Sequence, residues 1–226
     1  MLKAVIFDFD GVIVDSELLH YQAFNRILSP LGIEMSTQQY YDKYLGLSDE
    51  ELLRTVNKER KLPLSEKKLR QLLQEKAVSF KELAVSQASI IEGVPAFLKM
   101  LSDNKIPMAI CSGALLGEIE MILKGAGLRD YFDVIVSAEQ VKKGKPDPEG
   151  FLLALKLLNK KTSQPIKPQD CIVIEDSHWG LEAAKNAGMH PLAVTNTYAA
   201  EYLRPADKTV ENLAELTLSE LNALCS

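Results

Sequence analysis

The chain has 226 residues, 46% of them hydrophobic and 25% charged, and its formal net charge is −5. That length and apolar content suffice to bury a sizeable core, in one large domain or two unequal ones. The acidic balance argues against non-specific nucleic-acid binding, which needs a basic surface, and no segment approaches the ~18 apolar residues of a membrane span.

Cys111, Cys171 and Cys225 fit neither a metal knuckle nor a disulfide framework by their spacing, and they read as reduced thiols. The N-terminal segment meets its first acid at Asp8 and shows no signal-peptide pattern. The expectation is a soluble, cytoplasmic monomer with no nucleic-acid or membrane partner.

In chain order, short apolar runs rich in Val and Ile recur at Ala4–Phe7, Met108–Cys111, Val134–Val136, Cys171–Ile174 and Leu192–Val194. Such runs predict strands buried on both faces. Between the last four lie helical patterns: Leu115–Ala126, Phe151–Leu158 and Gly180–Ala187, the last ended by Gly188. Alternating strand and helix predicts an α/β fold, a doubly wound Rossmann-like parallel sheet.

The stretch between the first and second strands is far longer than a crossover helix requires. It predicts helices over Ser16–Leu28, Ser36–Tyr44, Asp49–Arg60 and Ser65–Leu83, with Ser36, Ser48 and Ser65 as N-caps. The domain reading is therefore an α/β core of residues 1–15 and 87–226, with an inserted four-helix cap of residues 16–86.

Ligands of open parallel sheets bind beyond the carboxyl ends of the strands, so the polar residues that follow each strand are the site candidates. Asp8 and Asp10 follow the first strand, with Gly11 permitting a tight turn, and Glu175 and Asp176 follow the fourth. Clustered carboxylates repel one another unless a cation sits among them, and an all-oxygen set suits magnesium. Ser112 and Gly113 open a helix after the second strand, where a hydroxyl and free amides make an anion site. Lys145 sits in the stiff loop Gly144-Lys145-Pro146-Asp147-Pro148 and offers one ammonium to a phosphate. Each feature alone has a plainer explanation: a solvated acidic loop, a helix cap at Glu175-Asp176 or Ser112, or a surface lysine run at Lys142–Lys145. Their occurrence in order after successive strands favours phosphoryl transfer.

The ordered set Asp8-Phe9-Asp10-Gly11-Val12, Ser112-Gly113, Gly144-Lys145-Pro146 and Glu175-Asp176-Ser177 resembles the haloacid dehalogenase-like superfamily. The segment Asp10–Glu17, followed by His20, is similar to its branch of β-phosphoglucomutases and sugar-phosphate phosphatases. The resemblance implies that Asp8 attacks phosphorus and becomes an aspartyl phosphate. It implies that Asp10 serves as general acid and base, its carbonyl facing the metal, and that Glu175 and Asp176 complete a Mg2+ site with Asp8. Ser112, Gly113 and Lys145 would hold the phosphoryl oxygens. The cap segment Leu45-Gly46-Leu47-Ser48-Asp49-Glu50 looks like the family's specificity loop, so Gly46, Asp49, His20 and Lys76 become substrate candidates. The mutases place an arginine at the position of Asp49, where it grips a second phosphate. An aspartate there favours a phosphatase acting on a small phosphorylated metabolite, while His20 and Lys76 keep a phosphohexomutase in view. A receiver-like phospho-acceptor is the non-enzymatic alternative.

Overall fold

The computed structural model describes residues 1–45 and 47–225, with Val85 and Ser86 described by backbone alone. In chain order the elements are β1 (Ala4–Phe7), β2 (Val14–Asp15), α1 (Glu17–Leu28), α2 (Thr37–Lys43), α3 (Asp49–Glu59), α4 (Glu66–Gln87), β3 (Ser89–Ile90), α5 (Val94–Asp103), β4 (Met108–Cys111), α6 (Leu116–Gly125), β5 (Val134–Val136), α7 (Glu149–Asn159), β6 (Cys171–Glu175), α8 (His178–Asn186), β7 (His190–Val194), β8 (Lys208–Val210) and α9 (Leu218–Leu224). They form two compact units, Met1–Asp15 with Ser89–Ser226, and Ser16–Ala88.

The first unit is built on a parallel sheet of order β5-β4-β1-β6-β7-β8. Strands β1, β4, β5 and β6 are buried at every residue, as their apolar runs require when helices cover both faces, and β6 carries the buried Glu175 at its end. The chain steps outward from β1 through β4 to β5, then returns to β6 on the other side of β1 and continues to β8. The switch point therefore falls at β1, where Asp8 leaves the sheet. Register then determines which residues emerge together. Phe7 pairs with Ile174 on one side and Ile110 on the other, so Asp8 and Glu175 leave adjacent strands side by side. The Asp8 amide holds this start by donating 2.9 Å to the Ile174 carbonyl.

The expected strands and alternating helices are present, and the sheet extends one strand further, to β8. Helices α5 and α9 also lie outside the expected set. Helix α8 starts at His178 rather than Gly180, because the Ser177 side chain caps it by accepting from the Gly180 amide at 3.2 Å. Helix α4 runs on to Gln87, since neither Gly nor Pro interrupts the chain after Leu83.

The second unit contains α1–α4 around its own apolar cluster, which includes Phe24, Leu28, Tyr40, Leu52, Leu53 and Leu72. Ser36 with Gln39, and Ser48 with Glu51, form reciprocal capping boxes that start α2 and α3. Each such cap is worth about 1 kcal/mol. Among the described residues, no helix is long and apolar enough to cross a membrane. The three cysteines are buried free thiols, and burial pushes that of Cys111 up to about 12.

Candidate active site

The carboxyl ends of β1 and β6 bring Asp8, Glu175 and Asp176 together in the core, with one carboxylate oxygen from each within 4.8 Å of the others. All three are buried. Lys145 is delivered to the same place by its loop, and its ammonium donates to both Asp8 and Glu175. That loop is braced from α7 and α8. The Glu149 carboxylate accepts from the Lys142 and Lys143 amides at 3.2 and 3.0 Å, and Asn186 Nδ2 donates 3.2 Å to the Pro146 carbonyl. The lysine run thus splits in two: the Lys143 side chain is 74% exposed, whereas that of Lys145 is 22% exposed.

Burial opposes a charge on Lys145, but Asp8 and Glu175 outweigh it and hold its pKa well above the ordinary value. Burial pushes the Asp8 carboxyl up to about 8; Lys145 opposes this, while Glu175 and Asp10 add to it. Asp176 is raised as well, by burial and then by Glu175 and Asp8. One ammonium does not balance this set of acids. Three buried carboxylate oxygens gathered within 4.8 Å of one another fit a hard divalent cation such as magnesium.

The structure gives Glu175 a double task. One oxygen receives Lys145, and the other accepts from the Asp176 amide at 3.0 Å, the Ser177 amide at 3.0 Å and the Ser177 hydroxyl at 2.9 Å. Its side chain lies over the first turn of α8, where a Cβ at Gly180 would come within 1.7 Å of Glu175 Oε1. Glu175 thus holds the chain just ahead of α8 while receiving Lys145, and the cap of that helix is Ser177.

Asp10 points elsewhere. Its carboxylate accepts from the Ser112 hydroxyl at 3.5 Å, and that hydroxyl in turn accepts from the Ala114 amide at 2.9 Å. Gly113 follows Ser112 with open space where a Cβ would stand. The Asp10 carboxylate is thus associated with the β4 end of the site, and Asp8 with the β6 end.

Gly11 separates these two directions. Its φ of +72° is readily adopted only by glycine, and a Cβ there would lie 1.9 Å from Asp176 Oδ2 and 2.6 Å from Thr197 Oγ1. Two residues absent from the sequence candidates close the loop from β7. Asn196 Nδ2 donates 2.8 Å to the Gly11 carbonyl, and Thr197 Oγ1 donates to Asp176 Oδ2. They lie two and three residues beyond Val194, after Thr195.

Within the second unit, His20 of α1, Asp49 of α3 and Lys76 of α4 meet. The buried Lys76 ammonium donates to both Asp49 oxygens, at 2.8 and 2.7 Å, and lies 2.7 Å from His20 Nδ1. It also lies 5.1 and 4.9 Å from the ring centres of Phe24 and Phe80. Burial, then Lys76, depress the His20 pKa well below its usual value, so the ring is neutral. Gly46 lies outside the described residues. Trp179, at the start of α8, stacks on His178 with ring centres 3.7 Å apart.

An α/β core carrying acids, a hydroxyl and a lysine at its switch point defines a class of phosphoryl-handling folds, and comparison specifies the family. Residues 5–194 match the haloacid dehalogenase-like hydrolase family, and the chain belongs to it. It is 33% identical over 189 residues to the phosphorylated carbohydrates phosphatase of Thermotoga maritima, covering 83% of this chain and 82% of that protein. It is 30% identical to the β-phosphoglucomutase of Bacillus subtilis, covering 98% of this chain and 94% of that one. The crystal structure of β-phosphoglucomutase from Clostridium difficile superposes with a TM-score of 0.81 at 29% identity, covering 100% of this chain and 97% of that one.

Proposed function

We propose that the chain is a Mg2+-dependent phosphatase that hydrolyses a small phosphorylated metabolite, a sugar phosphate or similar ester, through an aspartyl phosphate on Asp8. The observation that carries this is the separation of the two aspartates. Asp8 sits against Lys145 among the acids, while Asp10 turns toward Ser112, so nucleophile and proton carrier occupy different sides of one loop.

In this reading an Asp8 oxygen attacks phosphorus and the ester P–O bond breaks. Asp10 gives its proton to the departing alkoxide. Asp10, now a carboxylate, takes a proton from water, whose oxygen attacks phosphorus; the Asp8–phosphorus bond breaks and inorganic phosphate leaves. Lys145 favours the Asp8 carboxylate and, with Ser112 and the amides from Gly113 onward, receives the phosphoryl oxygens. Asp8, the Asp10 carbonyl and Asp176, with Glu175 beside them, would hold the cation. When bound, the cation supplies positive charge that favours the Asp8 carboxylate and offsets the charge on the phosphoryl group.

The cap cluster favours hydrolysis over mutation of the phosphate position. A mutase needs a cap cation for a second phosphate, and here the Lys76 charge is already taken by Asp49. The mutase reading keeps two supports, His20 and the β-phosphoglucomutases among the similar proteins. No observation favours a receiver-like role.

The test is a phosphate-release screen over a panel of phosphate esters with Mg2+, repeated with a hexose bisphosphate primer, on wild type and Asp8→Asn. Expected is primer-independent release from at least one ester, lost in the variant by at least about 10⁴-fold. Near-wild-type turnover by Asp8→Asn would refute covalent catalysis at Asp8. Interconversion of hexose 1- and 6-phosphates without net release would establish the mutase instead.

A further inference from the structure

The loop after β7 reaches the acidic cluster through two side chains that the proposed chemistry leaves without a part. Thr197 Oγ1 donates to Asp176 Oδ2, and Asn196 Nδ2 donates 2.8 Å to the carbonyl of Gly11. Asp176 is buried beside Asp8 and Glu175, both acidic. Repulsion from those neighbours favours rotation of the Asp176 carboxylate away from them. A hydroxyl fixed to one of its oxygens opposes that rotation. It holds the plane of the group and leaves the second oxygen to face a cation.

The fit at Gly11 shows how closely this contact is set. A single added Cβ there would collide with both Asp176 Oδ2 and Thr197 Oγ1, so backbone, carboxylate and hydroxyl occupy one tightly filled space. Asn196 holds the backbone side of that space, and Thr197 holds the carboxylate side.

We infer that Thr197 is a positioning residue that orients Asp176 for the divalent cation and sets the cation affinity of the site. The inference rests on the magnesium-dependent reading given above. Loss of a side chain that orients a ligating group typically weakens metal binding by roughly 10–100-fold. Serine preserves the hydroxyl, and valine preserves the shape of threonine without it.

The deciding experiment is calorimetric titration of Mg2+ into the metal-free full-length protein, for wild type, Thr197→Ser and Thr197→Val, with melting temperatures recorded alongside. Thr197→Ser should bind within about threefold of wild type, and Thr197→Val roughly 10–100-fold more weakly. Turnover of Thr197→Val at saturating Mg2+ should fall by less than its affinity. If the valine protein does not fold, Thr197→Ala takes its place under the same criterion. Wild-type Mg2+ affinity in the hydroxyl-free variant overturns the inference, as does an equal loss in the serine variant. Absence of Mg2+ binding by the wild type overturns the magnesium reading itself, and this inference with it.

Discussion

Lys76 is held by both carboxylate oxygens of Asp49, at 2.8 and 2.7 Å, and this pair links α4 to α3 inside the cap unit. The partners are unequal: the Lys76 side chain is 3% exposed and that of Asp49 is 40% exposed. Removing one partner therefore leaves a different orphan in each case. Asp49→Ala strands a buried ammonium, whereas Lys76→Met leaves a carboxylate that water reaches and places an apolar chain against Phe24 and Phe80. Asp49→Ala should cost about 1–2 kcal/mol, below the range for a fully buried pair because solvent screens Asp49. Lys76→Met should cost less. Chemical denaturation of the two variants checks the order; a larger loss in Lys76→Met would show that the pair is a net stabiliser.

The same cluster predicts an acid-sensitive cap. The folded-state pKa of His20 lies well below its ordinary 6.5, because burial and then Lys76 disfavour the imidazolium. The unfolded chain takes the proton first, so this contribution to stability is present above the unfolded value and is lost as pH falls through it. Between about pH 7.5 and about pH 5.5, the wild-type melting temperature should decline more steeply than that of His20→Gln, which keeps an acceptor for Lys76 but does not titrate. Equal slopes would exclude His20 as the source.

Gly11 and Gly32 provide a matched pair for the site loop. Both have positive φ, +72° and +73°, but a Cβ at Gly32 meets nothing within 4 Å. Gly32→Ala should show only the backbone penalty, about 1–2 kcal/mol, with kcat/KM unchanged. Gly11→Ala adds the collision with Asp176 and Thr197, and kcat/KM should drop by at least about 10²-fold, because misplacement of about 1 Å at a reacting centre has that effect. Melting temperature and kinetics measured on both variants separate backbone strain from damage to the site.

Metal removal should be visible in stability as well as activity. A cation that binds only the folded form stabilises it by about 2.7 kcal/mol at a hundredfold excess over Kd. Mg2+ should therefore raise the melting temperature of chelator-treated wild type by several degrees, and should do little for Asp176→Asn. An equal rise in both proteins would place the cation elsewhere.

The candidate site is readable in one dimension to the extent that its residues follow strands. Asp8, Ser112, Glu175 and Asp176 come directly after apolar runs that admit only buried parallel strands, so their convergence at one sheet edge follows from pattern and topology. Lys145 is legible from its place between Gly144 and Pro146 in the stiff loop, which sets it apart from Lys142 and Lys143. Thr197 and Asn196 carry no motif, since a Thr or an Asn after a strand is ordinary, and only the approach of the β7 loop to Gly11 gives them meaning.

The sequence by itself determined the fold class and the set of acids, because the period of the apolar runs dictates buried strands and the residues that end them must lie at the sheet edge. The tertiary structure decided how those groups are paired. The register of β1 against β6 and β4 sets Asp8 beside Glu175 and turns Asp10 toward Ser112. In the cap, helix packing brings Asp49 onto Lys76 across 27 positions of sequence. Pairings of this kind depend on distances of a few ångströms between segments remote in the chain, and no local pattern encodes them.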